Sequence, residues 1–264
     1  MSVELMDRAR IGFRNARLSR SCGARVTVLE LEGVSKSFQR ERNQLDALVD
    51  VDLRVDYNEV VSVTGGGRAS RSTLTRVAGG LLAPDAGVVR VEGVTLDRRD
   101  ATAWRQVAVG GTQFLPSHGS VVYEHVMIPL LALGASRIAA SVRAHRVLEQ
   151  VGAVHLAMAE PRELAPGELI RVALARAVVR EPAVLIMDEP IVAVGSTEGE
   201  AILGLMRDLA HGSALGVLVT ADETTPVTGA DRNLHLDGGR LLSNPVLAHP
   251  EPTAPLRAGV EPST

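Results

Sequence analysis

An α/β fold is what the sequence predicts, on three observations. Short β-branched runs alternate along the chain with longer stretches whose apolar residues recur at helical spacing. The run "EVVSVT" leads straight into the glycine-rich "GGGRASRST", after which Leu74, Val77, Ala78 and Leu81 stand at i, i+3, i+4 and i+7 of one helix face. Strand, glycine loop and helix in that order form the setting in which backbone N–H groups cradle a phosphate. "AVLIMD" and "GVLVTA" are continuous apolar runs of the kind buried on both faces of a parallel sheet.

Taken in order, residues 1–25 carry six arginines and little apolar periodicity, and read as a basic flexible extension or a misassigned start. Glu4 and Asp7 dilute the alternative of a membrane or nucleic-acid arm. "VTVLELEGVSKSF" and "GVVRVEGVTL" read as strands. From about 123 to 166 the composition turns to Ala, Leu, Arg and Glu without strand runs, a helical insertion. Within it "SRIAASVRAHRVLEQVG" places Val142, Val147, Leu148 and Val151 on one uneven apolar face and ends at Gly152, a C-terminal cap. "LHLDGGRLL" is a hairpin with Asp-Gly-Gly turn chemistry. From Ser243 to the end, 243–264, five prolines rule out regular packing, and a disordered tail is expected.

Composition narrows the function classes. The 264 residues are 45% hydrophobic with a net charge of −3, enough for a substantial core and no general electrostatic reason to bind nucleic acid. No apolar run approaches the roughly 18 residues needed to span a bilayer, so membrane association is expected only through a partner. Cys22 is the only cysteine, which excludes a disulfide framework and favours a reducing, cytoplasmic setting. His118, His125, His145 and His211 lack metal-ligand spacing. Lys36 is the sole lysine, an arginine bias that bears on one motif position below.

"PRELAPGELIRVALARAVVREPAVLIMDEP" resembles, almost position for position, the stretch of ATP-binding cassette (ABC) transporter ATPase subunits from their signature motif to the acidic strand end known as Walker B. "VSKSF", "LLAPDAGVVRVEGVTL", "EHVMIPLLALG" and "ADRNLHLDGGRL" stand in the same family's order, and the likeness covers 26–242, nearest the lipoprotein-releasing and macrolide-export branch. The resemblance implies a P-loop NTPase core with an N-terminal antiparallel β subdomain and the helical insertion. It also implies ATP and Mg²⁺ as cofactors, an integral-membrane permease, and a second ATPase subunit, the same or different, that sandwiches the nucleotide. The permease would dock on the outer face of the helical insertion and the loop around Gln113.

Residue by residue, the family's nucleotide contacts fall on Gly65, Gly66, Gly67, Ser70, Arg71, Ser72 and Thr73, with Phe38 against adenine or in the core, and Gln113 beside the lid-glutamine position. Ser72 and Asp188 would hold Mg²⁺, and Glu189 would orient or deprotonate water. Ser70 stands where a glycine is usual, which predicts backbone strain of about 1–3 kcal/mol. Arg71 stands where the family has lysine, and a planar guanidinium is a poor substitute for a point charge. The signature segment Leu164, Ala165, Pro166, Gly167 and Glu168 lacks the usual serine hydroxyl and one N–H, and brings a carboxylate toward an anion. Gly195 and Ala221 replace an aspartate and a histidine. Two readings follow: a transporter subunit that hydrolyses ATP with Asp188 and Glu189, or a pseudo-ATPase that keeps the fold and the permease contact.

Overall fold

The computed structural model describes residues 25–40, 43–97, 101–111, 120–223, 227 and 229–243. Gln113, most of the basic segment and the proline-rich tail beyond Ser243 therefore lie outside the described residues. Two sheets organise the rest. Strands β1 (Thr27–Arg40), β2 (Asn43–Asp56), β4 (Ala86–Val91) and β5 (Val94–Thr95) form an antiparallel sheet in the order β2-β1-β4-β5. Strands β3 (Val60–Thr64), β6 (Val107–Gly111), β7 (Val184–Asp188), β8 (Gly216–Thr220), β9 (Arg232–Asp237) and β10 (Arg240–Ser243) form the second, in the order β10-β9-β3-β8-β7-β6. All of its pairings are parallel except the β9–β10 hairpin.

Both faces of the parallel sheet are covered, and strand alternation shows how. Along β7, Val184 and Ile186 point into one core with Val61, Val63 and Leu218, while Leu185 and Met187 point into the other with Val217 and Val219. The first core is closed by the antiparallel sheet and by helix α1 (Arg68–Ala78), whose Leu74, Val77 and Ala78 are fully buried. The second is closed by α3 (Val122–Leu131), α4 (Arg137–Gln150), α5 (Pro166–Val178) and α6 (Ser196–Ser213). A short α2 (Ala101–Trp104) precedes β6. This double coverage explains why β7 and β8 read as unbroken apolar runs.

Several sequence expectations need correction. Leu81 lies beyond the end of α1 and is exposed, because Gly79 and Gly80 turn the chain first. Val142 faces outward from α4, whose buried stripe is Ala140, Ala144, Val147 and Leu148, with Val151 at its C-cap. Gly152 does take the left-handed conformation, φ +68°, expected just past that helix end. Ser243 belongs to β10, and Arg25 reaches Glu59 at 3.5 Å. Strands β2 and β6 have no counterpart among the strands expected from sequence. Among the described residues no helix is long and apolar enough to cross a membrane, and no cluster of metal-ligating side chains occurs. His125 is buried on α3, and burial, with Arg176 nearby as a lesser cause, pushes its imidazole below the usual range.

Candidate functional site

The C-terminal ends of β3, β7 and β8 converge on one loop. Chain leaving β3 turns through Gly65 at φ +76° and Gly66 at φ +61°, a left-handed pair that only glycine adopts freely, and enters α1 at Arg68. A second constraint acts at Gly65, where an added Cβ would lie 2.2 Å from His235 Cε1. The strain predicted at Ser70 is absent. Ser70 sits in the first turn of α1, its N–H donating to the Gly67 carbonyl at 2.9 Å, and its φ is not positive. The left-handed positions are the retained glycines, so a side chain at 70 meets no backbone penalty.

The strained residue is instead Glu189, at φ +47° and only 6% exposed. Its carboxylate is held by arginine. Arg71, itself 5% exposed, donates from Nε and Nη2 to Glu189 Oε1 at 3.0 and 2.6 Å. The same guanidinium donates from Nη1 to the carbonyls of Gly65 and Gly66 at 2.8 and 2.6 Å. Arg68 Nε stands 3.5 Å from the other carboxylate oxygen, from an otherwise exposed side chain. Arg71 thus ties both loop glycines to the end of β7.

Beside this pair Ser72 Oγ donates to Asp188 Oδ2 at 2.8 Å, and Thr220 Oγ1 donates to Oδ1 at 3.0 Å while accepting the Glu189 N–H at 3.2 Å. Thr220 is a site residue that the sequence motifs do not single out. Its only signal there is position, since it ends the strand whose register places it opposite Asp188. Thr73 Oγ1 donates to the Ala69 carbonyl at 2.6 Å, one turn back along α1. Phe38 is not core: its ring on β1 is 39% exposed, with Lys36 Nζ 5.8 Å from the ring centroid.

The signature-like segment starts α5. Ala165 is the N-cap residue with no side chain able to accept, Pro166 follows at the first helical position, and the Glu168 carboxylate accepts the Ala165 N–H at 2.8 Å. Leu164 is half-buried and packs against the helical core. Gly167 is buried, and a Cβ there would fall 1.8 Å from Glu198 Oε1. Gly195 caps α6 without a side chain, and Ala221 is buried at the end of β8.

These residues fit an ATP–Mg²⁺ assembly in part. A hydroxyl and a carboxylate converging at Ser72 and Asp188 suit a hard divalent cation. The start of α1 carries neither a side-chain cap nor an acidic residue in its first turn, which leaves its positive end to an anion. Arg71 bonds inward, and the Ala165 N–H at the start of α5 is taken by Glu168.

Fold and loop together define a P-loop nucleotide-binding protein. The ABC transporter family model matches residues 48–192. The chain is 34% identical over 224 residues to the lipoprotein-releasing system ATP-binding protein LolD of Bacteroides fragilis, covering 81% of this chain and all of that one. It is 35% identical to LolD of Bacteroides thetaiotaomicron, covering 81% of this chain and 99% of that one, and 33% identical to LolD of Myxococcus xanthus, with 82% and 99% covered. A bacterial ABC transporter cassette solved in dimeric form superimposes with a TM-score of 0.71 at 25% identity, over 81% of this chain and 96% of that one. This chain belongs to the ABC transporter family, as an ATP-binding subunit of the LolD-like kind.

Proposed function

We propose that this chain is a pseudo-ATPase member of its family: it binds nucleotide weakly or not at all, turns ATP over slowly or not at all, and couples to an integral-membrane permease. One observation carries the reading. The carboxylate that would handle the attacking water is engaged by Arg71 on one oxygen and faced by Arg68 on the other. With Oε1 accepting twice from Arg71, only Oε2, beside the Arg68 guanidinium, is left to accept a hydrogen bond from water. The signature end points the same way, because the Ala165 N–H is bonded to Glu168 and Pro166 has none. Loss of one charge-stabilising donor costs about 10²–10³ in rate, and several are missing here.

Under this proposal the loop 65–73 and the Phe38 ring receive what nucleotide binds, Ser72 and Asp188 hold Mg²⁺, and bound Mg²⁺ would neutralise phosphate charge. The permease would meet the helical region, where Ile138 and Val142 on α4 are 79% and 57% exposed. A groove of about 420 Å³ between α3, α5 and β6 adds the exposed Ile128 and Val109. The chain would then sit on the cytoplasmic face of the membrane through the permease, paired with a second ATPase subunit, a copy or a different chain. An active ATPase using Asp188 and Glu189 is the second reading, favoured by the intact Ser72–Asp188 pair. Magnesium-dependent phosphate release, measured with and without the co-expressed permease, decides. Release no greater than background is expected, and release abolished by Glu189→Gln would establish the active reading instead.

A further inference from the structure

We propose that Arg71 is the resident ligand of its own phosphate loop and Glu189 the counterion that keeps it there, so that the loop stands formed without nucleotide and an entering phosphate must first break this pair. The inference rests on the reading that the chain is a nucleotide cassette, and is independent of whether it turns ATP over.

The geometry is specific to arginine. Four hydrogen bonds leave one guanidinium, two to loop carbonyls and two to one carboxylate oxygen, out of five N–H donors in a single plane. A lysine ammonium has three donors on one point and cannot span the two glycine carbonyls and Glu189 in this way. Arg71 and Glu189 side chains are 7% and 8% exposed, so neither charge is satisfied by bulk water; without Arg71 the Glu189 carboxylate keeps only the longer Arg68 contact, and without the Glu189 charge Arg71 keeps only its loop carbonyls. An exposed pair would contribute little; this one is closed under the loop. Glu189 also keeps a left-handed backbone, which needs compensation from its surroundings. The ion pair and the Thr220 bond supply it.

The consequence is a reversal of roles. In a cassette where this glutamate only serves water, its amide variant would leave the ligand-free fold untouched. Here the same change removes the charge that holds Arg71.

Thermal unfolding of the full chain without nucleotide tests this with Glu189→Gln, Arg71→Met and the double variant. Each single change is expected to lower Tm by roughly 6 °C or more, and the double variant to recover at least about half of that loss, the signature of a coupled pair. A Tm for Glu189→Gln within about 1 °C of wild type overturns the proposal. Should that variant not fold, Mg²⁺–ADP titration of wild type and Arg71→Lys is the deciding measurement. Wild-type Tm is expected to move by less than about 1 °C at about 1 mM nucleotide and that of Arg71→Lys by several degrees; a wild-type shift as large as the variant's overturns the proposal. Phosphate release by wild type would sink the pseudo-ATPase reading and leave these Tm losses standing, so the two failures are distinguishable.

Discussion

The phosphate loop and the start of α5 are held in opposite ways. In the loop Gly65 and Gly66 turn left-handed, and the cation at 71 bonds inward to Glu189, at the end of β7, and to the loop itself. At α5 the backbone is held by good local helix-starting chemistry. Proline at the first helical position and a glutamate at the third that accepts the N-cap N–H both favour a helix N-terminus. One region has become globally braced and the other locally self-sufficient. A change of residue type at a ligand site therefore says little until the new bonding partner is known.

The same substitution separates the two regions most sharply. Gly65→Ala meets both a φ of +76° and the His235 ring, and is expected to destabilise by about 3 kcal/mol in denaturant titration. Gly167→Ala meets only the tip of the exposed Glu198 side chain, which can swing away, while alanine is the better helix former. Its expected effect is within about 1 kcal/mol of zero. Equal losses at both glycines would end the contrast between a braced loop and a tolerant helix start.

How far the molecule is legible in its sequence follows the same division. The alternation of β-branched runs and the doubly buried strands β7 and β8 announce the parallel sheet, and the loop is visible in its glycines. Strand β2 carries a strict alternation of Val49, Val51, Leu53 and Val55 with Asp50, Asp52, Arg54 and Asp56 that the strands expected from sequence leave out, while its register shifts against β1 depend on long-range pairing. β6 is hidden because five residues ending in two glycines carry little strand propensity, and its pairing with β7 is long-range. At the site, residue types are readable but partners are not. No spacing rule links Arg71 to Glu189, 118 positions apart, or reveals that the strain expected at Ser70 falls on Glu189.

A smaller change would sharpen the local half of the comparison. Ala165→Ser supplies the missing acceptor at the N-cap and completes the reciprocal arrangement with Glu168, so stability should rise by about 1 kcal/mol, or roughly 2–4 °C in Tm. Phosphate release should not rise with it, because Pro166 still has no N–H to offer. A variant that gained turnover with the cap would show that the serine hydroxyl, not the helix start, limits this end.

Gly195→Asp is the mildest test. Gly195 caps α6 at φ −67° and ψ 164°, an extended conformation any residue adopts, and nothing lies within 4 Å of a new Cβ. An aspartate there can accept an N–H from the first turn and interact favourably with the positive helix end, so it should stabilise by only a few tenths of a kcal/mol over glycine. The value of so small an effect lies in its independence. Because the position is exposed and touches neither Arg71 nor Glu189, its gain should add to the loss in Glu189→Gln without coupling. A measurable coupling between 189 and 195 would mean that the segment joining β7 to α6 shifts as one unit when the ion pair is broken, and the bracing attributed to the loop would then extend into α6.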